Sequence, residues 1–235
     1  MAATFVQSKS VVQNGGSNSV ALTFTNPVTS GNTLVAVLGY HNLISNLGSG
    51  SITDSTAGGG TPNVYTQIQD MTWQGADFGG ADSENTAWFV KNAAAGSTTI
   101  TYTNTHGSNA KLWFTIAEFS GLGAAPVLES QDSTHEISGG ATSPLVASLT
   151  DSGANAFTLT MSNPGDAAIS IGAFDLAGNG NDLTLYYQVN DLTQSTQPTH
   201  TASNGAGFIL LDASLHLQLY MLGPVRRIPQ GFLLT

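Results

Sequence analysis

Residues 214–221, Ser-Leu-His-Leu-Gln-Leu-Tyr-Met, alternate polar and apolar side chains and decide the fold class. Successive side chains of a β-strand point to opposite faces, so the four polar residues would share one face and the apolar residues the other. The pattern predicts a strand that packs on one side only. Residues 34–38, Leu-Val-Ala-Val-Leu, are instead apolar on both faces and predict a central strand that is covered on both sides.

Short runs of β-branched and aromatic residues recur along the whole chain. They occupy residues 20–24, 34–40, 86–91, 98–102, 112–119, 157–161, 168–174, 183–189 and 208–211. Gly, Asn, Pro, Ser and Asp separate them at roughly the 8–12-residue spacing that is typical of sandwiches and barrels. No segment carries a helical stripe longer than two turns. The sequence therefore predicts an all-β protein, an antiparallel β-sandwich of jelly-roll type.

The domain organisation is predicted from what separates these runs. No Pro-rich or charge-rich linker divides the chain, which favours a single β-sandwich over residues 1–222. The two halves of the chain are weakly similar, since each begins with apolar residues and continues through a Gly-Gly pair to two strands. This leaves open the alternative of two similar halves, 1–125 and 126–222. Residues 223–235 contain two prolines, which preclude a regular helix or a central strand, and are predicted to be a C-terminal docking tail.

Glycine-rich and polar stretches predict the loops. Residues 48–60, 75–82 and 177–182 are expected to be long surface loops, and such loops are usually functional or disordered. Residues 91–97 are expected to join two strands as a longer hairpin loop, with Gly96 at positive φ.

The composition excludes several classes of protein. Charged residues make up 9% of the chain, against about 25% in average soluble domains, and the formal net charge is −10. Because phosphate neutralisation needs cations, nucleic-acid binding is rejected. There is no Cys for a disulfide or a thiolate metal site, and no apolar stretch long enough for a membrane span. The first ten residues lack the apolar core of a secretory signal peptide.

Four blocks occur in a distinctive order: GNTLVAVLGY (31–40), ITDSTAGGGTPNVYTQI (52–68), TAWFVKNAAAGSTTITYT (86–103) and IAEFSGL (116–122). Over about residues 5–125 the chain resembles the GNLLVV…WYAKNAAAGSTTVT…EYSGL-type β-sandwich modules of phage structural proteins and bacterial surface proteins. The resemblance implies a non-catalytic, extracellular or virion-borne module. It carries over no catalytic residue.

Catalytic patterns are missing from the sequence, and the protein is predicted not to be an enzyme. There is no G-x-S-x-G motif, and the five His residues lack metal-protease spacing. Glu118 stands out because it shares a strand face with apolar residues, where a carboxylate needs partners. The alternatives are a structural role, through a backbone N–H or Lys111, an exposed position at the strand end, and a hydrolase that uses Glu118 or the pair Asp82 and Glu84.

Oxygen donors in a Gly-rich stretch make calcium the one candidate cofactor, since hard cations prefer carboxylate and amide oxygens. The candidate ligands are Asp175, Asn179, Asn181 and Asp182. A second set of oxygen donors consists of Asp77, Asp82 and Glu84. Asp and Asn are also ordinary turn residues, so loops without a cation are the alternative.

Aromatic side chains suggest a second ligand class, because rings stack on sugar faces. Trp73, beside a Gly-rich stretch, and Tyr65 are the candidate glycan-binding residues. Core packing is the default alternative for the aromatic residues.

The tail holds the only two arginines of the chain and ends in apolar residues. Its candidate interface residues are Arg226, Arg227, Ile228, Phe232, Leu233 and Leu234. We therefore expect a homo-oligomer or contacts with neighbouring virion proteins or surface glycans. The predicted function is a non-catalytic virion structural or adhesive protein, such as a phage decoration, tail or fibre component. The alternative is a secreted carbohydrate-binding β-sandwich module.

Overall fold

The structure is a computed structural model of the 235-residue chain. It describes residues 3–14, 18–43, 50–56, 62–73, 82–103, 111–122, 126–136, 149–150, 156–163, 169–171, 175–180, 183–190, 195–196, 200–202 and 208–217. Side chains are described for residues 3–13, 18–39, 50–55, 62–68, 86–96, 99–103 and 112–122. Within these segments every regular element is a β-strand. The described part of the chain holds no helix with the length and apolarity needed to cross a membrane.

Seventeen strands follow one another along the described residues. They are β1 (Thr4–Asn14), β2 (Ser19–Thr23), β3 (Thr33–Leu43), β4 (Ser51–Thr56), β5 (Tyr65–Trp73), β6 (Asp82–Val90), β7 (Ser97–Thr103), β8 (Lys111–Ser120), β9 (Pro126–Glu136), β10 (Leu149–Thr150), β11 (Ala156–Asn163), β12 (Ile169–Ile171), β13 (Asp175–Gly180), β14 (Leu183–Asn190), β15 (Ser195–Thr196), β16 (His200–Ala202) and β17 (Phe208–Leu217).

These strands pair antiparallel throughout. The central sheet has the order β1-β8-β3-β6-β5, and a three-stranded sheet has the order β2-β7-β4. A second five-stranded sheet, β13-β14-β11-β17-β9, and the pairs β10-β15 and β12-β16 follow later in the chain. The predicted all-β, antiparallel sandwich class is confirmed. The jelly-roll arrangement and the division into halves stay predictions.

One hydrophobic core lies between the central sheet and the three-stranded sheet. Its buried members are Val20, Leu22, Phe24, Val28, Leu34, Ala36, Leu38, Trp88, Val90, Ala93, Ile100, Tyr102, Leu112, Phe114 and Ile116. Gly50 is part of this packing, because a Cβ at this position would overlap the phenol of the fully buried Tyr102. The core follows from the strand alternation, since every second residue of each strand faces it.

A second core lies on the opposite face of the central sheet. Its buried members are Ala3, Val35, Val37, Ile68, Ala87, Phe89, Trp113, Ala117, Phe119 and Leu122. Strands β13 and β14 lie against β1, β3 and β8. Because the three-stranded sheet already covers the other face, β13 and β14 contact the central sheet on this second side. Residues 34–38 are at most 1% exposed, which confirms a central strand that is covered on both faces.

Several predicted loops differ from the structure. Residues 91–97 do not close a hairpin, because β6 belongs to the central sheet and β7 to the three-stranded sheet, although Gly96 has the expected positive φ of 84°. The stretch 48–60 contains β4, whose Ile52 packs against the first core, and β13 extends into 177–182. Strand β4 was missed because its residues are polar apart from Ile52, so it carries no apolar pattern.

The later strand predictions also need adjustment. Residues 208–211 and 214–217 form one continuous strand, β17, whereas 218–221 lie outside the described residues. In the predicted run 168–174, the described strand is only the three residues of β12.

All four edge strands of the two five-stranded sheets carry a bulge. The register of β1 skips Val6, that of β5 skips Ile68, that of β9 skips Glu129 and that of β13 skips Ala177. Each extra residue bends and twists its strand locally.

Candidate functional site

A buried carboxylate holds one end of the first core together. Glu118, near the end of β8, is 0% exposed. Its carboxylate accepts hydrogen bonds from Gln7 Nε2 at 2.6 Å, from the backbone N–H of Thr29 at 2.9 Å and from Asn32 Nδ2 at 2.6 Å. All three donors are uncharged. A buried carboxylate is costly unless such donors satisfy it.

Gln7 extends this network to the turn that follows β2. Its Nε2 also donates to the carbonyl oxygen of Asn26 at 3.0 Å, and its Oε1 accepts from the backbone N–H of Asn26 at 3.1 Å. The amide therefore pairs with a peptide group much as a neighbouring strand would. Through Gln7 and Glu118, strands β1 and β8 are joined to the loop between β2 and β3.

These contacts confirm the structural alternative for Glu118, with a backbone N–H and two side-chain amides as partners. The exposed alternative is wrong, because the strand end is covered by the loop of residues 24–32. The side chains of Lys111, Asp82 and Glu84 lie outside the described ones.

A second carboxylate organises the segment that enters β5. Asp54, on the inward side of β4, accepts hydrogen bonds from the backbone N–H of Asn63 at 3.1 Å, from Asn63 Nδ2 at 2.5 Å and from the Tyr65 hydroxyl at 3.2 Å. Asn63 Oδ1 in turn accepts from the backbone N–H of Ala94 at 2.7 Å. Asn63 thus connects β4 to the β6–β7 loop.

Burial raises the pKa of Tyr65, and the charge of Asp54 and the hydrogen bond to it raise the pKa further. The folded protein therefore keeps this phenol protonated at a pH where the phenol of the unfolded chain, with a pKa of about 10, loses the proton. The free energy of unfolding should be unaffected below that pH and should fall above it, by up to about 1.4 kcal/mol per pH unit for one proton.

We expect Tyr65→Phe to make this alkaline loss of stability shallower, because the variant has no phenol to ionise on unfolding. Urea unfolding of both proteins across the alkaline range measures the difference. At neutral pH the variant should lose about 1 kcal/mol with the hydrogen bond to Asp54. Equal alkaline slopes for the two proteins would contradict the role of the phenol.

Backbone hydrogen bonds fix the β6–β7 loop against the β2–β3 loop. Ala93 donates to the carbonyl oxygen of Asn32 at 2.8 Å and accepts from the N–H of Gly31 at 2.9 Å. Gly96 donates to the carbonyl oxygen of Val28 at 3.1 Å. Asn92 has a φ of 53°, in the left-handed region that Asn tolerates better than most residues. The surrounding bonds hold this conformation in place.

A groove opens between the segment that enters β5 and the β6–β7 loop. It has a volume of about 430 Å³. Its lining residues are Pro62, Asn63, Val64, Thr66, Lys91, Asn92 and Ala94. Val64 is 81% exposed, so a large apolar side chain stands in solvent beside the groove. The groove combines this apolar surface with a lysine, two amides and a hydroxyl.

The outer face of the three-stranded sheet is an uncharged hydroxyl surface. Strand pairing brings together in register Ser19, Ala21, Thr23, Ser51, Thr53, Ser55, Thr99, Thr101 and Thr103. The Thr23 and Thr99 hydroxyls are 2.9 Å apart, and Thr103 Oγ1 donates to Ser19 Oγ at 3.5 Å. We call these nine residues the hydroxyl face.

The predicted ligand-binding residues are only partly described. Tyr65 is half-buried and packs against the first core, so its ring is not an exposed platform, and its glycan-binding role stays a prediction. Trp73 ends β5, and Asp175 and Asn179 lie in β13, in each case without a described side chain. Asn181, Asp182, Asp77 and the six tail residues lie outside the described residues.

Among the described residues, no group of three or more His, Asp or Glu side chains could hold a metal ion. Sequence reasoning missed Gln7, Asn32, Asp54 and Asn63. Two Asn residues in turns and one Asp in a polar run give no local signal, because their partners lie in other strands and loops.

No protein-family model matches the chain, and comparisons with curated proteins and with solved structures found no significant relative.

Proposed function

We propose that the protein is a non-catalytic structural or adhesive component of a virion, in the manner of a phage decoration, tail or fibre protein. The observation that carries the proposal is the structural use of two acidic side chains. Glu118 and Asp54 each accept three hydrogen bonds from uncharged donors and hold loops in place. Carboxylates used in this way serve to hold a scaffold together.

The surface chemistry supports a role in contacts with other molecules. The hydroxyl face offers nine small, uncharged residues on a three-stranded sheet. With 9% charged residues, the chain solvates its surface largely through hydroxyl and amide groups. A neutral hydrogen-bonding surface of this kind is suited to contacts that vary little with salt concentration, because few charges are there to be screened.

Assembly is proposed to use the C-terminal tail. We expect the full chain to sediment as a defined oligomer and a version that ends at Leu222 to sediment as a monomer. The physical reason is that an apolar segment with two prolines cannot form a regular element of its own and gains stability by docking on a neighbour. Sedimentation velocity of both proteins at matched concentrations is the measurement.

A full-length variant with Arg226→Gln and Arg227→Gln is the matched control for charge. It should weaken the oligomer without abolishing it, because the apolar tail residues remain. If the full chain is a monomer, or if the truncated chain forms the same oligomer, the proposed assembly role of the tail is wrong.

The groove beside Val64 favours a second candidate function, saccharide binding by a secreted β-sandwich module. Small-molecule sites are concave, largely pre-formed and lined by apolar surface with a few polar groups. The groove has these features, with Val64 and Pro62 as the apolar part and Thr66, Asn92 and Lys91 as the polar part. Sugars present the same combination of apolar C–H faces and hydroxyl groups.

A further inference from the structure

We infer that the groove between residues 62–66 and 91–94 binds acidic saccharides, with Lys91 as the partner of the sugar carboxylate. The inference rests on the second candidate function, saccharide binding, and names its ligand class. It does not involve Trp73, the aromatic residue that sequence reasoning favours.

Hydrogen bonds hold the walls of the groove in place. Asn63 joins them, since its Oδ1 accepts from Ala94 N at 2.7 Å while its own backbone and side chain donate to Asp54. Ala93, next to this contact, is fixed by two backbone hydrogen bonds to Gly31 and Asn32. A site that is already ordered loses little conformational entropy when a ligand enters.

The exposed side chains around the groove are the ones a ligand would meet. Val64, Thr66, Lys91 and Asn92 are all exposed, whereas the residues that hold the backbone are at least half-buried. The Lys91 ammonium lies 5.6 Å from the centre of the Phe89 ring. Among the side chains that the structure describes, Lys91 forms no ion pair. Its charge is therefore available to an anionic ligand.

Charge complementarity selects an acidic sugar over a neutral one. The chain has 15 acidic and five basic residues, so a groove with a lysine at its rim differs from most of the surface. A carboxylate-bearing sugar would pair with Lys91, while its hydroxyl groups reach Thr66 and Asn92. Its C–H face would contact Val64 and Pro62. The volume of about 430 Å³ suits a short saccharide, near the lower end of the range of small-molecule sites.

The test is a titration of the full chain, followed by NMR or calorimetry, with sialyllactose and its neutral counterpart lactose. A second pair, a glucuronic-acid-containing disaccharide and its neutral analogue, distinguishes sialic from uronic acids as the source of the carboxylate. Lys91→Gln removes the charge. Lys9→Gln, an exposed lysine on β1, is the matched control. Melting temperatures verify that both variants remain folded.

We expect at least one acidic sugar to bind more tightly than its neutral counterpart. Lys91→Gln should weaken that binding by up to about fivefold, the upper end for an exposed ion pair, and Lys9→Gln should leave it unchanged. Equal binding of acidic and neutral sugars with no effect of Lys91→Gln would overturn this inference and leave saccharide binding intact. Binding of no saccharide at all would overturn both.

Discussion

Replacing Glu118 with alanine is expected to destabilise the fold by about 3–5 kcal/mol, because the change leaves three donors, one of them on the buried Asn32, without their acceptor. Thr29 N–H and the Asn32 amide lose their partner, and Gln7 keeps only its contact with Asn26. Native domains have free energies of unfolding of about 5–15 kcal/mol, so this loss is a large part of the total stability. Urea unfolding of wild type and variant measures it.

Glu118→Gln is the matched control, because it keeps the volume and one acceptor oxygen. That oxygen can still accept from Thr29 and Asn32, but the new NH₂ group faces the NH₂ group of Gln7. Gln7 cannot turn its amide over without losing both hydrogen bonds to Asn26. We expect a loss of about 2 kcal/mol. If Glu118→Ala lowers the stability by less than about 1 kcal/mol, the carboxylate does not hold these loops.

Phe114→Ala and Phe119→Ala are expected to lower the free energy of unfolding by about 3–5 kcal/mol each. Both side chains are 0% exposed, yet they lie in different cores on opposite faces of β8. Each truncation would leave a cavity that the neighbouring strands fill only in part. The prediction is specific, because a sheet with one face in solvent would show a large loss for only one of the two. Chemical denaturation of the two variants measures both losses.

Val6→Ala provides the control for these substitutions, since Val6 lies at the bulge of β1 and is 44% exposed. It should change the stability by less than about 1 kcal/mol. If Phe119→Ala also lowered the free energy of unfolding by less than about 1 kcal/mol, the second face of the central sheet would not be covered as described.

The central strands could be predicted from the sequence, because their burial shows directly in their residue pattern. Residues 34–38 are apolar on both faces, and both faces are buried. The edge strands β1 and β4 could not be predicted in the same way. The bulge at Val6 breaks the two-residue period of β1, and β4 is polar apart from Ile52. Such strands form because a neighbouring strand supplies hydrogen bonds, which no local pattern records.

Of the candidate sites, the Glu118 network was predictable from the sequence at one residue, and the groove was not predictable. Glu118 could be identified because it shares a strand face with apolar residues. Its partners Gln7 and Asn32 are 111 and 86 residues away in sequence, so only the folded chain brings them together. Lys91 and Val64 gave no signal, since an exposed lysine and a single exposed valine are ordinary surface residues.

The bulges at Val6, Ile68, Glu129 and Ala177 bear on how the protein behaves at high concentration. Edge strands present unpaired N–H and C=O groups that can recruit strands from other molecules and begin aggregation. A bulge interrupts the flat, regular edge that this recruitment needs, and each edge of both five-stranded sheets has one. The formal net charge of −10 adds electrostatic repulsion between copies, which weakens as the salt concentration rises. At high salt, the bulged edges would then be the protection against edge-to-edge aggregation that remains.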